Sequence, residues 1–189
     1  MDFMRLKAWL ARRMPTVQQT AAVYGVIVLA VYGWTLYWFA WKLPSWLYFL
    51  TLGEILVSLA YSMVVNFIES LIVLFVLISI SVLLPAGWFR DKFAGLGSSL
   101  VVLSLSALAY YLGTIIALQD FPPSLARSAL LVVAGILVLL YLIGKINLLL
   151  RAMEEIANRS VIFLYVFLPL SAISFLVVLV RNIIEAFNV

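Results

Sequence analysis

A run of forty residues, from position 45 to position 84, constrains the fold of this chain more than any other feature. It reads SWLYFLTLGEILVSLAYSMVVNFIESLIVLFVLISISVLL, and its only charged residues are Glu54 and Glu69. A helix of about 20 apolar residues already spans the roughly 30 Å hydrocarbon core of a bilayer. The whole chain has a mean hydropathy of +1.21, and 11% of its 189 residues are charged. The sequence therefore predicts an integral membrane protein.

Four further stretches are long and apolar enough to cross a bilayer, at about 20–41, 98–118, 126–144 and 161–180. None has the period-two alternation of a barrel strand, so we predict an all-α polytopic membrane bundle that forms a single domain over 1–189. Residues 2–13 place apolar side chains among four basic ones. This pattern is typical of an amphipathic helix at the membrane surface, or of a charged leader that only sets topology.

The number of crossings made by residues 45–84 decides between five and six transmembrane helices. One helix over this run would be about 60 Å long, and that length favours two crossings with a turn near Asn66. However, no Gly or Pro lies between Gly53 and Pro85, and the polar residues keep their helical phase through the supposed turn. The local signals therefore favour one long, tilted or bent helix.

The positions of the basic residues favour the single crossing as well, because cytoplasmic loops hold the excess of Lys and Arg. With one crossing, nine basic residues fall inside and three outside: Arg5, Lys7, Arg12, Arg13, Arg90, Lys92, Lys145, Arg151 and Arg159 against Lys42, Arg127 and Arg181. With two crossings the same residues divide six to six. We predict five crossings in the plasma (inner) membrane, with the N-terminus in the cytoplasm and the C-terminus outside.

Polar side chains recur along one face of the run 45–84. On a helix they lie within an arc of about 140°, and we call six of them the polar stripe: Glu54, Ser58, Tyr61, Ser62, Asn66 and Glu69. A charged carboxylate inside the bilayer costs several kcal/mol, so it usually faces a cavity, a pathway or a partner. Two hypotheses follow. Several copies form a channel or transport protein with a cation or proton pathway along the stripe, or the chain is a non-catalytic subunit or scaffold whose stripe packs against other helices.

Tryptophans cluster where the predicted spans end. Indole rings favour the headgroup level of a bilayer, so five are predicted to be interface anchors: Trp34, Trp38, Trp41, Trp46 and Trp88.

The residue inventory argues against most chemistry. The chain has no Cys and no His, which removes thiol nucleophiles, Ser-His pairs and the usual zinc and haem ligands. Glu54 and Glu69 would lie about 22 Å apart on one helix, too far to act on one bond. We therefore expect no enzyme, cofactor, metal site or nucleic-acid partner. The expected partners are the lipid bilayer, further copies of the chain, and other membrane subunits.

Overall fold

The computed structural model describes residues 13–84, 87, 89–118 and 123–187, and helices make up nearly all of them. In chain order the elements are α1 (Val17–Trp46), α2 (Leu52–Leu83), a 3-10 turn (Arg90–Lys92), α3 (Phe93–Leu118), α4 (Pro123–Lys145), α5 (Asn147–Ser160) and α6 (Ile162–Phe187). The segment 2–12 and Trp88 lie outside the described residues, so the predictions for the amphipathic leader and for that anchor stay predictions.

The predicted all-α membrane bundle is confirmed. Within the described part of the chain, five helices are long and apolar enough to cross a membrane: α1, α2, α3, α4 and α6. The helix α5 is short and carries charged residues such as Arg151, Glu155 and Arg159. It follows a break at Ile146, which separates it from α4.

The central run forms one unbroken helix, but it begins later than predicted. The helix α2 starts at Leu52, because Thr51 and Glu54 form a capping box that satisfies the first backbone N–H groups. Ser45 and Trp46 belong to α1, which continues past Pro44 to its end at Trp46. A proline so near the end of a helix is tolerated because few residues follow it.

Hydrogen bonds between helices establish their directions. Arg13 Nη1 donates to the Val82 carbonyl oxygen at 3.1 Å, which pairs the start of α1 with the end of α2. Lys92 Nζ donates to the Gly144 carbonyl oxygen at 2.6 Å, which pairs the start of α3 with the end of α4. Together with the single crossing of α2, these contacts place residues 13 and 187 at opposite ends of the bundle.

The two ends of the bundle differ in charge. We call the end that holds the start of α1 the basic end and the opposite one the far end. The basic end carries six of the described Lys and Arg residues and the far end carries three: Arg13, Arg90, Lys92, Lys145, Arg151 and Arg159 against Lys42, Arg127 and Arg181. This distribution agrees with five crossings.

The helix α1 is the centre of the bundle and contacts α2, α3, α5 and α6. Seven consecutive residues, from Ala22 to Val28, are buried. A helix surface that is apolar on every side is covered either by lipid or by neighbouring helices, and for this segment the neighbouring helices cover it. At Gly25 the fit is so close that an added Cβ would lie 2.6 Å from the backbone oxygen of Ser160, so the missing side chain lets α1 approach the junction of α5 and α6.

Candidate functional site

The carboxylate of Glu54 lies at the start of α2, at the far end of the bundle. Glu54 Oε2 accepts hydrogen bonds from the Thr51 backbone N–H at 2.7 Å and from Thr51 Oγ1 at 2.8 Å. In return, the Glu54 backbone N–H donates to Thr51 Oγ1 at 3.3 Å. The local role of this exposed residue is therefore to cap the helix.

The polar stripe divides among different surroundings along α2. Ser62 Oγ donates to the carbonyl oxygen of Ser58 at 2.9 Å, one turn earlier in the same helix. The Tyr61 hydroxyl donates to Asn182 Oδ1 of α6 at 2.8 Å. Asn66 is 3% exposed, and its Oδ1 accepts a hydrogen bond from Thr35 Oγ1 of α1 at 2.9 Å. Much of the stripe is therefore satisfied by the chain's own helices.

One part of the stripe opens into a cavity that we call the groove. It has a volume of about 750 Å³, and its lining comes from α1 between positions 30 and 35, from α2 between 61 and 69, and from α3 between 102 and 112. The helix α1 packs against both α2 and α3, which make no extensive contact with each other. The groove is therefore the gap between α2 and α3, with α1 as its floor.

Glu69 is the charged residue of the groove. It stands 17 residues after the start of α2 at Leu52 and 14 before its end at Leu83, close to the middle of the longest described helix. Its side chain is exposed, and no hydrogen bond or ion pair joins it to any residue that the structure describes. At this position in a membrane-spanning helix a carboxylate would lose hydration, and none of the described residues pairs with it.

Asn66 holds an unpaired donor within the wall of the groove. Its Oδ1 is paired with Thr35, but its Nδ2 is buried without a hydrogen-bond partner within the described structure. Ser106 of α3 supplies a hydroxyl on the opposite wall, and the rest of the lining is mainly apolar, with the indole of Trp34 beside it. Binding pockets for small molecules commonly combine apolar walls with a few convergent polar groups.

The groove closes toward the basic end. Residues 22–28 of α1 and 93–99 of α3 are all buried, and the Tyr24 hydroxyl shares a hydrogen bond of 3.2 Å with Ser70 Oγ, next to Glu69 in sequence. The lining residues of α1, α2 and α3 all lie at the level of Glu69 or farther from the basic end. A single copy therefore offers a deep recess that ends near mid-membrane.

The predicted anchors do not all share one environment. Trp41 is 71% exposed, as expected of a ring at the membrane surface, and Trp38 and Trp46 pack edge to face against neighbouring aromatic rings. Trp34 also lines the groove, a position that its prediction as an anchor did not include. Thr35 was not predicted to be a site residue, although it is the only Ser or Thr between positions 21 and 44 and thus a detectable polar signal.

The described residues contain no group of three His, Cys, Asp or Glu side chains placed to hold a metal ion. Comparison of the chain with protein-family models, curated proteins and solved structures found no match in any of the three.

Proposed function

We propose that this integral membrane protein is a non-enzymatic, transport-type protein that brings a cation or a proton to Glu69. The observation that carries the proposal is an exposed carboxylate at the middle of a membrane-length helix, inside a cavity and without a described partner. Burying such a charge uncompensated costs about 3 kcal/mol or more. Ionisable residues that membrane proteins keep inside their spans despite this cost commonly take part in ion or proton transfer.

A single copy in this conformation does not provide a complete pathway across the membrane, because the groove ends near Glu69. Self-association with the grooves turned toward a common axis would place several Glu69 side chains in one acidic ring. Such rings attract cations in known channel architectures, and symmetric self-association is the commonest form of assembly. The open side of the groove and its apolar lining support a homo-oligomer of this kind.

An accessory or scaffold role is the second candidate, and α4 favours it. This helix contacts only α3 and α5 extensively, and apolar side chains along it, including Leu130, Leu131 and Leu137, are exposed. It therefore offers an unoccupied face to helices of other membrane subunits. In this role the groove would receive a polar side chain from a partner helix, and no ion would cross.

Ion flux through proteoliposomes separates the two roles. We expect cation or proton flux above that of empty vesicles, and Glu69→Gln should lower it by about tenfold or more, because Gln keeps the shape but removes the charge. Glu54→Gln is the matched control. It makes the same substitution outside the groove, and Gln still completes a capping box, so its flux should stay near that of the wild type.

If the wild-type protein shows no flux above that of empty vesicles, the transport role is rejected and the accessory role is favoured. If flux falls equally in Glu69→Gln and Glu54→Gln, transport does not depend specifically on the groove.

We also propose that the basic end faces the cytoplasm and that the protein lies in the plasma membrane. The excess of Lys and Arg at that end supports the orientation. The chain has no native Cys, so Tyr48→Cys at the far end and Arg151→Cys at the basic end can be labelled individually. An impermeant thiol reagent on intact cells should modify only the first. Modification of both, or of Arg151→Cys alone, would reject this orientation.

A further inference from the structure

The groove has the composition of a site for an organic molecule rather than for a bare ion. Its volume of about 750 Å³ lies within the roughly 300–1,000 Å³ range of small-molecule pockets. A hydrated metal ion would fill little of it and would gain nothing from walls built by side chains such as Val65, Leu105 and Leu112. We infer that the groove binds an amphipathic organic amine, a molecule with one cationic nitrogen, a nearby acceptor oxygen and an apolar body.

The cationic nitrogen follows from the isolation of Glu69. Within the described helices every Lys and Arg lies within six residues of a helix end, so none reaches the depth of this carboxylate. A second copy brings the same described helices, and these hold no Lys or Arg at that depth either. The described helices therefore leave Glu69 without a counter-charge, which the cationic nitrogen of a ligand would supply through a charge-assisted hydrogen bond.

The acceptor oxygen follows from Asn66. Its Nδ2 is buried and without a described partner, although the residue lines the groove. Leaving such a donor unpaired is costly, so a ligand that presents an ether, hydroxyl or carbonyl oxygen there would gain affinity. Asn66 and Glu69 are three residues apart on α2 and share one face, so the acceptor and the cationic nitrogen should be only a few bonds apart.

The apolar body follows from the remaining walls. Aliphatic side chains of α2 and α3 and the ring of Trp34 surround the polar groups, and burying an apolar body against them is favourable. The groove also opens within the membrane-spanning part of the bundle, where amphipathic molecules concentrate. This inference rests on the proposed function in one respect, that Glu69 carries a negative charge open to a ligand.

Tetracaine is a suitable probe because it joins a tertiary amine to an ester oxygen and a butylaminophenyl body. Its uncharged counterpart is 3-methylbutyl 4-(butylamino)benzoate, which replaces the amine nitrogen by a carbon. Binding to the purified full chain can be measured by equilibrium dialysis against protein-free micelles of the same detergent. We expect saturable binding of tetracaine, and at least about tenfold weaker binding of the uncharged ester.

Three variants complete the test. Glu69→Gln should weaken tetracaine binding by about tenfold or more, whereas Glu54→Gln should leave it unchanged. Ala109→Phe, which places a ring inside the groove and leaves the Glu69 carboxylate unchanged, should weaken it by about tenfold or more. Should Glu69→Gln fail to fold, Ala109→Phe and the uncharged ester still decide. Equal binding of the amine and the ester, or full binding to Ala109→Phe, would overturn the inference.

The result is separable from the flux experiment. Glu69-dependent ion flux without tetracaine binding would retain the proposed function and reject the organic amine. Glu69-dependent tetracaine binding without any flux would retain the site and reject the cation pathway.

Discussion

The two halves of the bundle are built from the same helices but pack in opposite ways. At the basic end, residues 22–28 of α1 and 93–99 of α3 are buried on every side. Toward the far end, α1 and α3 border an open groove of about 750 Å³. The packing changes from one half to the other within the same helices, α1 and α3. Which helices are neighbours therefore does not explain the change.

Side-chain size explains much of the contrast. At the basic end α1 carries Ala22 and Gly25, and α3 carries Ala94, Gly95 and Gly97, and small residues let helix backbones approach closely in a membrane. Beyond the middle, α1 turns to the large rings of the segment 34–41, WTLYWFAW. Several of these rings are exposed, including Trp34, Tyr37 and Trp41, and the segment has few of the small residues that would let α2 and α3 close over it.

Glycines report the same contrast. A Cβ at Gly25 would lie 2.6 Å from the backbone of Ser160, and one at Gly95 would lie 2.5 Å from a methyl carbon of Leu150. At Gly33 and Gly113, in the other half of the same two helices, nothing lies within 4 Å. Glycine therefore allows close packing in one half, whereas a larger residue would fit in the other. Close packing at the basic end stabilises the fold, and the far half has space for a ligand.

The largest expected effect is that of Gly25→Val. Overpacking a close contact costs about 1–3 kcal/mol and sometimes more, and here the obstacle is backbone, which cannot rotate away. We expect a loss of stability at or above the top of that range, measured as a fall in unfolding temperature in detergent. Gly33→Val on the same helix is the matched control and should cost far less, since the β-branched residue meets open space. Equal losses would contradict the packing contrast.

Thr35→Val should have an intermediate effect. The substitution removes the one described hydrogen bond of the buried Asn66 side chain, and an unsatisfied buried polar group costs about 1–3 kcal/mol. The double variant Thr35→Val/Asn66→Leu removes both partners and should recover much of that loss. Unfolding free energies for the two single variants and the double variant give the coupling. A double variant that is less stable than Thr35→Val alone would show that Asn66 has a further structural partner.

The smallest expected effect is that of Ala109→Phe. Its side chain enters an open groove rather than a packed core, so the change in unfolding free energy should stay within about 1 kcal/mol. A matched substitution at the basic end, Ala22→Phe, replaces a residue that is 0% exposed and should prevent stable folding. If Ala109→Phe were as damaging, the groove would be closed in solution.

The sequence by itself determined the class of protein, the approximate positions of the apolar helices and the continuity of α2 from Leu52 to Leu83. These properties depend on apolar length, on charge counts and on the absence of Gly and Pro between positions 53 and 85, all of which are read along the chain. It also identified Glu54 and Glu69 as carboxylates inside a predicted span, because the cost of such a position does not depend on which helices surround it.

Only the tertiary structure decided what each polar residue of α2 does. Helical periodicity placed Glu54 and Glu69 on one face, yet Glu54 caps the helix while Glu69 lines a groove. The spacing of Thr51 and Glu54 is that of a capping box, which marks the start of a helix. However, residues 46–50 before it are also apolar, so the run was predicted to be helical from position 45. The pairing of Asn66 with Thr35, the fit of Gly25 against Ser160 and the gap between α2 and α3 depend on the rotation and neighbours of each helix. Many weak contacts between residues distant in sequence together determine how each helix is rotated and which helices lie beside it. No local sequence pattern encodes these two properties.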